Sequence, residues 1–232
     1  MLIRSLFWGT RTEAAVQTTS TAVRATKNMK KELEILFERN KREFAFLKEE
    51  ANKIGVASKW GQGVIPPYSI LPFYSELLGN KPGRFLKKAS KPGVNKQCYL
   101  LNTDNQIING VEYDSFNDLN SQWIVSNKFY FYSPDSTIQY SFGSAFENET
   151  NARLERVTIA QIEDNKIKSA YSFGNRSEYE ELYYSYQDDR ICGITQKVWV
   201  DAYFERHYII MYDDISILEI LSDGTTQKIY PE

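Results

Sequence analysis

Few residues in this chain are of a type that does chemistry. Its one histidine, His207, sits in Phe204-Glu-Arg-His-Tyr-Ile, with Glu205 and Asp201 near enough in sequence to orient it as a general base. No nucleophile is paired with it in sequence, so a surface or packing role is preferred, and an enzyme of unfamiliar type centred on His207 is the alternative. Glu178 and Glu180 are spaced to share one face of a strand, where a carboxylate pair could act as acid and base. The plainer reading puts them on a solvated strand face. Asp and Asn recur at successive turns and could hold Ca²⁺ if those turns converged, but no twelve-residue loop of alternating acids is present. One histidine and two separated cysteines, Cys98 and Cys192, do not compose a zinc site. The chain has no phosphate loop and no Gly-x-Ser-x-Gly. The expectation is therefore no catalytic residue, no metal and no cofactor.

The elements that position these residues are hairpins. From about Val157 to Tyr230 runs of about ten residues, rich in Tyr, Ile, Val, Phe and Trp, are split by Asp164-Asn165, Gly174-Asn175, Asp188-Asp189, Asp201-Ala202, Asp213-Asp214 and Asp223-Gly224. Asp and Asn tolerate φ > 0 and so suit two-residue hairpin turns. About seven strands are predicted from 153 to 230, stacked as one twisted meander or partial barrel, because a single hairpin cannot bury its own apolar face. Further strands are expected at Gln97–Asn102, at Gln106–Ile108 with Asn109-Gly110 as a tight turn, and at the long pair Gln122–Tyr132 and Thr137–Phe146 around Ser133-Pro-Asp135.

Within this stretch Tyr184-Ser-Tyr186-Gln-Asp188-Asp189-Arg190-Ile191 resembles the YD-type repeat of Rhs proteins, without that repeat's turn glycine and one residue shorter. The resemblance covers about a third of the chain. It implies hairpin architecture and no activity, and it associates the chain with polymorphic-toxin systems and their immunity proteins.

Before the hairpins the sequence changes character. Residues 1–100 carry 18 Lys+Arg against 8 Asp+Glu, and residues 101–232 carry 10 against 22, so the formal net charge of −2 conceals a dipolar chain. Thirteen of the 16 Tyr lie in the second part. Thr10-Arg-Thr-Glu13 has the form of a capping box. Leu33, Phe37, Asn40, Phe44, Leu47, Ala51 and Ile54 alternate four and three apart, predicting one helix over 28–54 with Gly55 as its stop. An amphipathic helix packed on the sheet is preferred to a coiled-coil seam with Asn40 at its register position. Residues 57–96, punctuated by Gly and Pro, read as a basic connection with short helices at Phe73–Leu78 and Arg84–Ala89. Nucleic-acid binding by its lysines is disfavoured by the acidity of the whole chain.

These readings divide the chain into an N-terminal helical region (1–56), a basic connection (57–96) and an antiparallel β domain (97–232), of α+β class. No window approaches a membrane-spanning length, and two cysteines do not make a disulfide framework, which predicts a cytoplasmic protein. The functional expectation is a non-enzymatic protein-binding protein, most specifically an immunity protein whose acidic, Tyr-rich surface meets the basic cleft of a toxin domain. Its expected contact residues are Glu178, Glu180, Glu181, Tyr183, Tyr186, Asp188, Asp189, Asp213 and Asp214. A small-ligand carrier, with the sheet closed around an apolar pocket, is the runner-up.

Overall fold

The structure, a computed structural model, describes residues 29–231. The expected capping box at Thr10 and the apolar start of the chain lie outside the described residues. Thirteen strands form one sheet: β1 (Ala57–Gln62), β2 (Arg84–Phe85), β3 (Lys96–Leu101), β4 (Ile107–Asn117), β5 (Gln122–Tyr132), β6 (Ser136–Phe146), β7 (Leu154–Glu163), β8 (Lys166–Gly174), β9 (Tyr179–Gln187), β10 (Arg190–Trp199), β11 (Tyr203–Met211), β12 (Ser216–Ile220) and β13 (Thr226–Tyr230). From β3 to β13 every strand pairs with the next in sequence, all antiparallel, and β1 inserts beside β3 with β2 at its outer edge. The meander expected over 153–230 is β7 to β13. Its turns form as Asp and Asn allow: Asp164 and Asn165 have φ of 52° and 58°, and Asp188 and Asp189 have φ of 48° and 64°. Two successive left-handed residues make the turn whose twist matches the strands it joins.

Three local expectations are corrected. Asn109-Gly110 is no turn but lies within β4, where Asn109 is buried and its Nδ2 donates to Lys128 O at 3.2 Å. Pairing with β5 overrides a dipeptide signal that is only local. Residues 57–62, placed in the connection, form β1, so the sheet extends into the segment read as a linker. Residues 84–89 form no helix: Gly83 N donates to Val64 O and Leu86 N to Trp60 O, which commits the backbone to β1 and its flank.

Each face of the sheet is covered. On the outer face lie two helices, α1 (29–40) and α2 (Phe44–Ile54). The single helix expected over 28–54 breaks at 41–43, within six consecutive polar residues (38–43), and Asn40 Nδ2 donates to Leu36 O at 2.8 Å and to Tyr140 Oη at 3.2 Å. Asn40 thus sets no coiled-coil register. It ends α1 and ties it to β6. Leu33, Phe37, Phe44, Leu47 and Ala51 are buried against Phe129, Phe142, Val157 and Phe173 of the sheet, and Ile54 is exposed. Phe44 packs between Phe129 and Phe142, with ring centroids 6.0 and 5.2 Å away.

The inner face holds the segment between β1 and β2. A 3₁₀ turn (Pro66–Tyr68) and a short helix, α3 (Tyr74–Leu77), bring Ile65, Ile70 and Leu71 against Tyr99, Leu182, Tyr184, Ile194 and Ile217. α3 reaches β13, and Phe73 meets Tyr212 edge-on at 6.2 Å, so the sheet curls around this segment. The sheet does not close into a barrel. Its hollow is occupied by 64–78, not by the apolar cavity that a barrel carrier needs.

Candidate functional site

In a sequential antiparallel meander alternate turns fall on the same edge. From Asp164 to Asp213 the acidic turns recur at intervals of 24 and 25 residues, and the earlier ones, at 104 and 135, at 31 and 29, each one round trip along two strands and two turns. The topology therefore aligns the β3–β4, β5–β6, β7–β8, β9–β10 and β11–β12 turns on one edge. They present Asp104, Asp135, Asp164, Asp188, Asp189, Asp213 and Asp214, all exposed. Two strand spacings separate neighbours, about 10 Å. At that distance adjacent turns cannot share an ion, and no metal-holding group of three or more His, Cys, Asp or Glu occurs among the described residues.

Some of this charge is already matched. Lys166 is hydrogen-bonded to Asp189, and Lys228 Nζ lies 3.3 Å from Asp214 Oδ2. The bonded Lys166 holds the Asp189 carboxyl below its ordinary range, and Ser216 with Lys228 does the same for Asp214. Asp104, Asp135, Asp164, Asp188 and Asp213 have no ion-pair partner among the described residues. Three tyrosines stand at the same edge, Tyr132 closing β5, Tyr186 near the end of β9 and Tyr212 in the β11–β12 turn. Tyr132 and Tyr212 are exposed. The sequence reading missed both, although each adjoins an acidic turn that it had found.

The other expected contact residues are dispersed. Glu180 and Glu181 are withdrawn from the surface, 6% and 1% exposed. Glu180 lies on the inner face, where Oε2 accepts from Tyr74 Oη at 3.0 Å and Arg156 Nη1 at 3.4 Å, while Oε1 accepts from Gln196 Nε2 at 2.6 Å. Tyr208 extends the chain by donating to Gln196 Oε1 at 2.9 Å. Burial, reinforced by the Glu180 charge, pushes the Tyr74 hydroxyl up to about 12. Glu181 faces the other way and accepts from Tyr183 Oη at 2.8 Å. Glu178 precedes β9 and accepts from the Arg176 amide at 2.8 Å. Tyr183 and Tyr186 are on opposite faces, the first beneath Lys197, the second donating to Ile167 O at 2.9 Å with Lys166 and Lys168 over its ring. What remains of the expected surface is its edge: Asp188, Asp189, Asp213 and Asp214.

No family model, curated protein or solved structure matches the chain.

His207 is exposed on the outer face of β11. Its Nε2 lies 3.4 Å from Glu205 Oε1 and its Nδ1 3.2 Å from Thr195 Oγ1. Glu205 is thus the neighbour that the sequence offered, and Asp201 belongs to the β10–β11 loop. Residues 203–207 are all exposed. The hydroxyl beside the ring, that of Thr195 on β10, is half-buried. Cys98 and Cys192 are free thiols on separate strands, and burial pushes the Cys98 thiol up. Among the described residues, no helix is long and apolar enough to cross a membrane.

Proposed function

We propose that the protein is a non-enzymatic binding protein that captures a cationic protein surface along its acidic edge. In its most specific form it is an immunity protein that neutralises a cytoplasm-acting bacterial toxin. The observation that carries this reading is the row of exposed carboxylates at five successive turns of one edge, five of them without an ion-pair partner among the described residues. Like charges held in a row repel one another in the free protein, and an oppositely charged partner relieves that repulsion while being steered in. Tyr132 and Tyr212 on the same edge supply rigid aromatic area, which anchors interfaces at low entropic cost. The YD-type resemblance agrees with this reading by association only.

The test uses the partner recovered by co-purification from the native cell. Reversing Asp104, Asp135 and Asp213, none of which has a positive φ, to Lys leaves the melting temperature in place and slows association at low salt by about tenfold or more. Tyr132→Ala and Tyr212→Ala speed dissociation instead. An association rate equal to that of the wild type at both low and high salt overturns the reading.

A further inference from the structure

A cleft lies on the inner face, away from the acidic edge, between the sheet and the segment 64–80. It encloses about 550 Å³, within the range of small-molecule sites, and its wall includes Ser69, Tyr74, Ser75 and Asn80. A smaller hollow of about 190 Å³ adjoins it across Tyr74 and Arg156.

The floor of the cleft is one row of residues in register across five strands. Gly110 pairs with Lys128, Lys128 with Ser141, Ser141 with Arg156, and Arg156 with Gly174. Two cations thus stand two strands apart, about 10 Å between Cα atoms, with a hydroxyl between them. Both have donors to spare. Arg156 is hydrogen-bonded through Nη1 alone, to Tyr74 and Glu180, and those bonds fix its guanidinium while its other nitrogens make no hydrogen bond among the described residues. Lys128 Nζ lies 3.7 Å from Glu112 Oε2, beyond hydrogen-bonding reach. Thr158 and Gln139 line the same cleft.

Acids are present, but at the rim. Glu155 and Glu178 flank the floor, each folded over a glycine: a Cβ at Gly174 would fall 2.0 Å from Glu178 Oε1, and one at Gly143 would fall 2.1 Å from Glu155 Oε1. The missing side chains at 143 and 174 are the spaces these two carboxylates occupy. The cleft therefore has a floor of two paired cations, Lys128 beside Glu112 and Arg156 beside Glu180, whose spare donors line it, with an anionic margin and Arg176 beyond it.

We propose that this cleft binds a small zwitterion, its oxyanion, a carboxylate or phosphate, seated between Lys128 and Arg156 and its cationic end against Glu155 and Glu178. The guanidinium fork and the ammonium give charge-assisted hydrogen bonds to the oxyanion, with Ser141 supplying a neutral donor. The rim carboxylates reject a polyanion such as nucleic acid, whose following phosphates would meet them. This inference stands apart from the acidic edge, since no edge residue lines the cleft.

The test titrates the full chain, by NMR or calorimetry, with four probes: inorganic phosphate, acetate, phosphoethanolamine and Nα-acetyl-lysine. The expected result is saturable binding of a zwitterionic probe at least about tenfold tighter than its head group alone, about 1.4 kcal/mol. The tighter of the two zwitterions names the oxyanion. Lys128→Gln weakens that probe by about tenfold, the worth of a charged hydrogen bond. Ser141→Ala weakens it less, and Glu178→Gln removes the advantage over the head group. Lys128 and Ser141 lie outside the network around buried Glu180, so these variants keep the fold. Lack of saturation with all four probes, equal affinity for zwitterion and head group, or wild-type affinity in Lys128→Gln would each overturn the proposal.

Discussion

Glu180 and Glu181 are adjacent in β9, and their carboxylates are buried on opposite faces of the sheet. One ties strands β7, β9 and β10 to α3, and the other is held among tyrosines under the outer surface. Three donors converge on the Glu180 carboxylate, whereas Glu181 accepts from Tyr183 alone and its Oε1 has no partner among the described residues. Each glutamate is therefore a statement about its surroundings more than about solubility.

The Glu180 site makes the first prediction. Glu180 accepts from three donors, two on Oε2 and one on Oε1. In Glu180→Gln the amide nitrogen must face one donor set, leaving it unpaired. Loss of about 2 kcal/mol of unfolding free energy is expected, from the usual penalty for an orphaned buried donor, moderated because Arg156 reaches the water of the cleft. Urea denaturation followed by tryptophan fluorescence measures it. An unchanged midpoint and slope would mean that the network does not hold α3 to the sheet.

Glu76 predicts a pH dependence. It is buried on α3, and burial raises its carboxyl above the ordinary 4.5. Between 4.5 and the raised value the folded state therefore binds more protons than the unfolded state, so stability falls as pH rises through that window. Glu76→Gln removes the fall. The variant should exceed the wild type at pH 7, and the two should converge as pH drops below 4.5. Melting temperatures taken across that range check both the sign and the convergence.

Ile215 predicts a gain. This β-branched residue has φ of 47° in the β11–β12 turn and is 52% exposed. The left-handed region costs such a side chain about 1–2 kcal/mol, and little is buried in return. Ile215→Asn is expected to stabilise by about 1 kcal/mol, raising the melting temperature by about 2–4 °C for a chain of this size. A lowered melting temperature would reveal a packing role for the isoleucine.

The sequence made the hairpins legible because their turn chemistry is local: Asp164-Asn165 and Asp188-Asp189 need only their own backbone to declare themselves. It misplaced what depends on distant partners. Asn109-Gly110 looks like a turn until β5 pairs with it, and 41–43 looks helical because the 4–3 spacing runs through Asn40 without interruption. Glu180 reads as a surface acid because two of its partners, Tyr74 and Arg156, are 106 and 24 residues away. The cleft was invisible for the same reason: Lys128, Ser141 and Arg156 become neighbours only through strand register. The acidic edge is legible in part, since the 24- and 25-residue intervals from Asp164 to Asp213 match one round trip of a meander, but which turns share it follows only from the strand order.

The sequential strand order also fixes what the chain meets during synthesis. From β3 onward each strand finds its partner in the next segment to leave the ribosome, so contact order within the meander is low. The earliest-made parts have the opposite problem. Asn40 waits 100 residues for Tyr140, and Tyr74 waits 106 for Glu180. At translation rates of about 5–20 residues per second, that is roughly 5–20 s. During that interval Leu33, Phe44, Ile65 and Leu71 lack the strands that bury them, and the nascent chain depends on chaperones or on speed.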